Sequence, residues 1–333
     1  MSRRAALILR EPEIRSLLDP AGCLQAVESA FSAYARGQAE LPAVINLDVP
    51  DHRGEVHVKA GYLHTVPYYA VKIASGFLGN PQLGLPSSDG MVLVFDAKTG
   101  VLAALLLDNG YITDLRTAAA GAIAAKHLAR ATVETVAVIG SGAQARYQVR
   151  ALALVRQFRE VRVWGRHHER AEACVNDLAR ETATNCRVVL SSSVREAVES
   201  ANIVITVTAS REPLLQGDWI AKGALVIAVG SDGPDKQELD VNVLARADRV
   251  VADSLPQCLR LGEIHHAVEK AAIAKDKVTA ELGEITAGIK PGRTSDHEII
   301  VCDLTGVGVQ DVAAASLVLE RALQNRKGEW LSL

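Results

Sequence analysis

The chain has 333 residues, 49% of them hydrophobic and 23% charged, with a formal net charge of −3. That length allows two domains, each with its own core, and the composition is that of a soluble globular protein. The near-balanced charge lacks a dense basic block, which argues against nucleic acid as the main partner, because binding a phosphate backbone needs clustered Lys and Arg; small anionic ligands stay open.

At the amino end MSRRAALILREPEI joins two arginines to a short apolar run, but Arg10, Glu11 and Glu13 cut the run too short for a signal peptide. No later segment approaches the length of a membrane span. From about Pro12 to Arg36 the spacing is helical, with Ile14, Leu17 and Leu18 before Asp19, and Leu24, Val27, Ala30, Phe31 and Tyr34 after it. Asp19 followed by Pro20 predicts a helix start, an N-cap and a first-turn proline. Between Val44 and Leu107 the runs VINLDV, EVHVKAGYL, YYAVKIAS, MVLVFDA and VLAALLL, separated by turn-forming segments, predict a predominantly antiparallel sheet.

The alanine-rich segment Thr113 to Ala129 is small on every side and suits a tightly packed helix between two domains. Beyond it VAVIG, VRVWG, CRVVLS, IVITVT, ALVIAVG and RVVAD alternate with helical stretches, which implies a parallel sheet covered on both faces. A last helix from about Val309 to Leu323 is expected to return to the first domain. The fold expected is therefore α/β: a Rossmann doubly wound parallel sheet inserted in a predominantly antiparallel α+β substrate and dimerisation domain. The boundaries are 1–118, 119–308 and 309–333.

The most specific local signal is Gly140-Ser141-Gly142-Ala143-Gln144-Ala145, a GxGxxA turn entered from the apolar run Val136 to Ile139. Gly140 permits the tight turn, Gly142 lets backbone approach a pyrophosphate, and Ala145 lets the next helix pack closely on its strand, the unpaired amides of that helix's N-terminus facing the phosphates. A plain strand-turn-helix junction is the alternative. About twenty residues on, a dinucleotide site for NAD usually places a carboxylate on the ribose. Here the second strand ends in Gly165, Arg166, His167 and His168. Arginine without a carboxylate predicts NADP(H) as the preferred cofactor with NAD(H) possible, unless Arg166 is a solvated loop cation.

Five scattered cysteines, Cys23, Cys174, Cys186, Cys258 and Cys302, form no CxxC pair and suit a reducing cytoplasm. The adjacent pairs His167/His168 and His265/His266 are expected to point to different faces, so no metal site is predicted.

Taken in order, LRTAAAGAIAAKHLA, VAVIGSGAQA, GSDGPDKQELD and DLTGVGVQD resemble the ornithine cyclodeaminase and mu-crystallin family over nearly the whole chain. EVHVKAGYL, GFLGNPQLGLPSSDG and LLLDNGYITDLRTAAAGA look most like members encoded with ectoine degradation. The resemblance implies an NAD(P)-dependent homodimer. It assigns Lys72 to the active site, Arg116 to the substrate carboxylate and Asp232 to the substrate amine. Thr305 falls near where substrate and nicotinamide meet, and Ser87, Thr117, Thr208 and Lys236 match cofactor-contacting positions. The chain departs from the family at an early-strand arginine, where Val44, Ile45, His57 and Lys59 stand instead; Lys59 becomes the candidate carboxylate ligand, without arginine's bidentate fork.

The residues alone permit blander readings. Lys72 is either functional or a snorkelling surface lysine, and Lys59 either a ligand or an exposed sheet lysine. Arg116 would lack partners among small helix residues unless a ligand met it. Asp232 either handles a proton beyond a strand's carboxyl end or caps a turn. His57 shares a sheet face with Lys59, but a histidine satisfied by a backbone carbonyl is the commoner case.

The activity expected is NAD(P)H-dependent reduction of a ketimine or imine of a small amino acid, with Lys59 and Arg116 on the carboxylate and Asp232 exchanging the nitrogen's proton. Two alternatives remain: an ornithine-type cyclodeaminase that releases ammonia and recycles its nucleotide, and a crystallin-like protein that binds NADPH and a ligand with little turnover.

Overall fold

The computed structural model describes residues 5–181 and 186–333. The chain forms two compact units, Met1–Arg116 with Val307–Leu333, and Thr117–Gly306.

The first unit begins with strand β1 (Ala5–Arg10) and helices α1 (Glu11–Leu17) and α2 (Pro20–Ala35). The apolar run at the amino end is thus a strand, with Ala6, Leu7 and Leu9 in the core. Asp19 caps α2 through its side chain, which accepts from Gly22 N, and Pro20 opens the helix. The β-rich stretch becomes β2 (Ala39–Glu40), β3 (Ile45–Val49), β4 (Gly54–Leu63), β5 (Tyr68–Phe77), β6 (Ser88–Asp96) and β7 (Leu102–Leu107). Helix α3 (Tyr111–Leu128) follows, beginning two residues earlier than the alanine-rich pattern predicted. Asp108 starts it by accepting from Ile112 N.

The second unit alternates strictly enough to be read as doubly wound: β8 (Thr135–Ile139), α4 (Ala143–Ala153), β9 (Glu160–Trp164), α5 (His168–Arg180), β10 (Arg187–Leu190), α6 (Val194–Val198) and β11 (Ile203–Thr206). It continues through β12 (Leu225–Ala228), α7 (Val241–Arg246), β13 (Arg249–Ala252), α8 (Leu255–Cys258), α9 (Gly262–Glu269), β14 (Val278–Glu281), α10 (Leu282–Thr286) and β15 (Ile300–Asp303). The strand order is β10-β9-β8-β11-β12-β15-β13-β14, parallel throughout. Ile139, Val204, Val226, Val250 and Val301 are completely buried along its centre, as apolar runs between two helical layers require. The order reverses between β8 and β11, which places a ligand crevice at their carboxyl ends. Strands β14 and β15 are not among those read from the sequence.

After the second unit the chain returns as α11 (Gly308–Asn325) and β16 (Glu329–Ser332). The first unit's sheet has the order β16-β1-β7-β6-β5-β4-β2, with β3 also paired to β4. It is antiparallel except for the parallel pair β1 and β7. Helix α11 packs on β4 and β5. Its first residue, Gly308, meets β4 so closely that a Cβ would collide with the Ala60 carbonyl oxygen, while a Cβ on Gly61 would lie 3.1 Å from Gly308. Arg321 then ties α11 to α2, donating to Leu17 O and Asp19 Oδ2, both at 2.6 Å.

Candidate active site

β8 delivers the chain into Gly140, whose φ of +131° strains any L side chain and where a Cβ would lie 2.7 Å from Val207 O. Gly142, the N-cap of α4, has an ordinary φ of −79°, and a Cβ there would meet nothing within 4 Å. The first requirement comes from the fold itself; the second glycine instead keeps space open before a helix whose first amides have no carbonyl to bind. That open cradle fits a dinucleotide pyrophosphate. Ala145 is completely buried, and Ser141 lies against Gly165, where a Cβ would come within 2.6 Å of its hydroxyl. Ala143 is exposed, and Gln144 accepts from Gln148 Nε2 at 3.3 Å.

Arg146 escaped the sequence reading. Its Nη1 donates to the carbonyls of Ser141 (2.9 Å) and Gly142 (3.1 Å), and its Nε to Asp177 on α5 (2.8 Å), so a guanidinium holds the turn's carbonyls from behind. Nothing in a GxGxxA count reveals this, although an arginine in the first turn of a phosphate-binding helix is a signal in itself. Arg166 is exposed just beyond β9 with no ion pair among the described residues. Thr117 is half-buried on α3 and its carbonyl accepts from Gln148 Nε2 at 3.1 Å. Ser87, in the first unit, is exposed just before β6 and its carbonyl accepts from Phe77 N at 2.8 Å.

The first unit brings three of the predicted residues together. Lys59 on β4 stands directly opposite Lys72 on β5. They are only 4% and 2% exposed, which rules out the surface-lysine readings of both. Arg116, 4% exposed, places Nε 3.0 Å from Asp311 Oδ1 and donates from Nη1 to Gln310 Oε1 at 2.7 Å. Lys72 Nζ lies 3.3 Å from the same Asp311 oxygen. Asp311 arrives in the first turn of α11, where the helix dipole favours a carboxylate and where the Gly61 and Gly308 approach presses that turn onto the sheet. Like charges opposite each other in a sheet repel, and the charges of Arg116, Lys72 and Lys59 all act on the Asp311 carboxylate.

The pKa shifts follow from that imbalance. Burial, with Arg116 and Lys59 adding to it, pushes Lys72 down to about 7 against the opposing pull of Asp311. Burial pushes Asp311 upward, but Arg116, Lys72 and Lys59 outweigh it and leave the carboxylate below its ordinary value. Burial raises Asp108, beside Lys72, to about 6, and its Oδ1 has no hydrogen-bond partner. Asp108 and Asp311 were both missed, because neither sits in a pattern that periodicity or spacing singles out. His57 stays outside this group: its Nδ1 lies 2.8 Å from Asn46 Oδ1 on β3, and its Nε2 3.7 Å from Glu55.

In the second unit Asp232 lies in the loop after β12, half-exposed, and accepts from Lys236 Nζ at 2.8 Å. Thr305 is 1% exposed, donates to Asp253 Oδ1 (3.0 Å) and accepts from Gln257 Nε2 (2.9 Å), so its hydroxyl is committed to the protein. Thr208 follows β11, and its amide donates to Glu238 Oε1 at 2.5 Å. Glu238, completely buried, also accepts from Thr206 Oγ1 (2.7 Å) and Gly230 N (2.9 Å), stapling the ends of β11 and β12; burial raises it to about 7.

One expectation is corrected. The rings of His265 and His266 do not diverge: their centroids are 3.8 Å apart. Ligand atoms of His265, His266 and Glu269 lie within 4.8 Å of one another, but both nitrogens of His265 and Nε2 of His266 already meet backbone carbonyls.

A parallel sheet with a glycine cradle at its switch point, in a chain whose other unit buries a cationic cluster, defines a two-unit dinucleotide-dependent oxidoreductase. The chain belongs to the ornithine cyclodeaminase/mu-crystallin family, whose profile matches residues 5–326. It is 47% identical to an uncharacterized cyclodeaminase, y4tK, of Sinorhizobium fredii, covering 96% of this chain and 97% of that one. Among solved structures, an archaeal alanine dehydrogenase dimer with bound NAD matches with a TM-score of 0.91 and 36% identity, over 98% and 99% of the two chains. The Thermococcus litoralis Δ1-pyrroline-2-carboxylate reductase in complex with NADH and L-proline matches with a TM-score of 0.92 and 32% identity, over 97% and 99%.

Proposed function

We propose that the protein is an NAD(P)H-dependent reductase of the carbon–nitrogen double bond of a small imino acid. The carrying observation is the buried cationic cluster: Lys59, Lys72 and Arg116, all buried, gather with Asp311, and the positive charge concentrated there suits an α-carboxylate. A dinucleotide whose pyrophosphate was held at the Gly140–Ala145 cradle would supply hydride from its nicotinamide. Arg116 and Lys59 hold the substrate carboxylate, and Lys72, easily deprotonated at its depressed pKa, hydrogen-bonds it or carries a proton. Asp232 stabilises the protonated imine nitrogen, with Lys236 as its resting partner. The likeness to a reductase complexed with NADH and L-proline supports this substrate class.

For the cofactor we propose a preference for NADPH, supported by Arg166, which has no ion pair among the described residues at the end of β9, although the similar structures carry NAD or NADH. Equal catalytic efficiency with the two cofactors would refute it. No helix of the described residues is long and apolar enough to cross a membrane. A cytoplasmic setting fits the buried thiols of Cys23, Cys174, Cys258 and Cys302.

A second reading, cyclodeamination, is favoured by the 47% identity to the cyclodeaminase y4tK, and the resemblance to proteins of ectoine degradation makes 2,4-diaminobutyrate the diamino acid to try beside ornithine. The test follows nicotinamide absorbance with Δ1-pyrroline-2-carboxylate and related imino acids, and ammonia release from the two diamino acids. Cofactor oxidation with the imino acid supports the reductase. Ammonia release without net absorbance change replaces it with the cyclodeaminase, and dinucleotide binding without turnover of any substrate favours the crystallin-like alternative.

A further inference from the structure

The paired histidines of α9 have no part in the reading above, yet they hold the segment that carries Asp232. His266 Nε2 lies 2.9 Å from Lys236 O, and His265 Nε2 lies 3.1 Å from Pro234 O. Ser231 Oγ donates to the same Lys236 carbonyl. The loop's two ends are fixed separately, Gly230 N by Glu238 at 2.9 Å and Gln237 N by Ser210 O at 2.8 Å. Between those ends Asp232 and Lys236 form an ion pair that is partly open to solvent, with 38% of the Asp232 side chain accessible. The carbonyls of Pro234 and Lys236 reach α9, and both links end on an imidazole.

We propose that His265 and His266 are positioning residues for the reaction: their ring nitrogens, at the Pro234 and Lys236 carbonyls, clamp the 231–236 loop and thereby set where the Asp232 carboxylate stands. This rests on the role given to Asp232 above. The two rings lie against each other at a tilt of 39°, 3.8 Å between centroids, which makes the clamp one object, since moving either ring displaces its neighbour. His265 is anchored in turn by its Nδ1 against Gly262 O, 2.6 Å away in the first turn of α9. Burial holds His266 below the ordinary histidine value against the opposing pull of its bond to Lys236 O, and a neutral ring meets that carbonyl by donating from Nε2. A side-chain amide of glutamine length places an N–H near the same point; a methyl does not.

The experiment compares His266→Ala, His266→Gln and Asp232→Asn by three measurements: amide hydrogen exchange across 231–237, NADH affinity by fluorescence, and steady-state kinetics with the imino or diamino acid that the wild type turns over. The expected result is faster exchange in the loop of His266→Ala, unchanged NADH affinity, and kcat lowered about tenfold with KM little changed, the scale of one lost positioning hydrogen bond. His266→Gln should recover most of both effects. Wild-type exchange or wild-type kcat in a folded His266→Ala overturns the inference, and so does a Gln variant no better than Ala. Failure of the underlying reading looks different: Asp232→Asn then keeps full kcat, or the wild type is silent, while the exchange comparison still decides whether the histidines hold the loop.

Discussion

Lys72 and Asp311 are the two sides of one buried ion pair, and their removal should have opposite consequences. Lys72 sits among cations, and its folded pKa of about 7 lies below its free value of 10.5. Between those two values the unfolded chain binds the extra proton, so stability rises with pH from about 7 toward 10.5 and the full cost of the charge is present below about 7. Lys72→Met should therefore abolish turnover while leaving dinucleotide binding intact, and should match or exceed the wild type in thermal stability at pH 6, the gain shrinking as pH approaches 9. Melting curves across that range check this; a variant that is less stable at pH 6 contradicts the assignment of Lys72 as a strained, functional cation. Asp311→Asn removes the carboxylate on which Lys72 and Arg116 converge, and breaking a buried pair from that side costs about 3–5 kcal/mol. Urea denaturation at neutral pH should show a loss of that order, and added substrate carboxylate should restore part of it.

At the scale of elements, the two glycines of the β8–α4 turn separate fold from function. Gly140→Ala puts a Cβ 2.7 Å from Val207 O at a φ of +131°, so the turn must distort and stability should fall. At Gly142 a Cβ meets nothing within 4 Å, so Gly142→Leu extends its side chain from open space over the turn. The expected outcome is a wild-type melting temperature with NADPH and NADH affinity lost, measured by nucleotide fluorescence; a Gly142→Leu variant that still binds would show that the pyrophosphate does not lie over this turn. This part was legible, because a GxGxxA turn after an apolar run states backbone requirements that depend on few distant residues. The cationic cluster was half legible. Lys59 and Lys72 alternate correctly along their strands, but that they stand opposite each other depends on hairpin register. That Asp311 meets them depends on a helix 239 positions downstream of Lys72 in the chain, pressed down at Gly61 and Gly308. The histidine pair was misjudged for a related reason: adjacent helical residues start about 100° apart, but long side chains swing back together when two carbonyls from another loop call for both.

At the scale of the whole molecule, the sheet of the first unit leaves apolar side chains in water. Ile45 and Leu47 on β3 are 63% and 58% exposed, and Leu83 in the 77–87 connection reaches 74%. Alternation explains one exposed face of a strand, yet β3 exposes Ile45, Asn46, Leu47 and Asp48 alike, so its far side is also uncovered by the rest of the chain. An apolar strand in that state is an association or aggregation site unless something covers it. We propose a second copy of the chain as that cover, as the family resemblance implies. Replacing Leu47 by Asp disturbs no buried contact, so a monomeric chain should stay folded, whereas a dimer seated on β3 would have to bury that charge. Sedimentation velocity should find the wild type at twice the chain mass of 35.5 kDa and Leu47→Asp shifted toward the monomer, with unchanged far-ultraviolet circular dichroism. A wild type that sediments as a monomer would leave β3 bare, and the same mass for both proteins would move the interface to another face of the sheet.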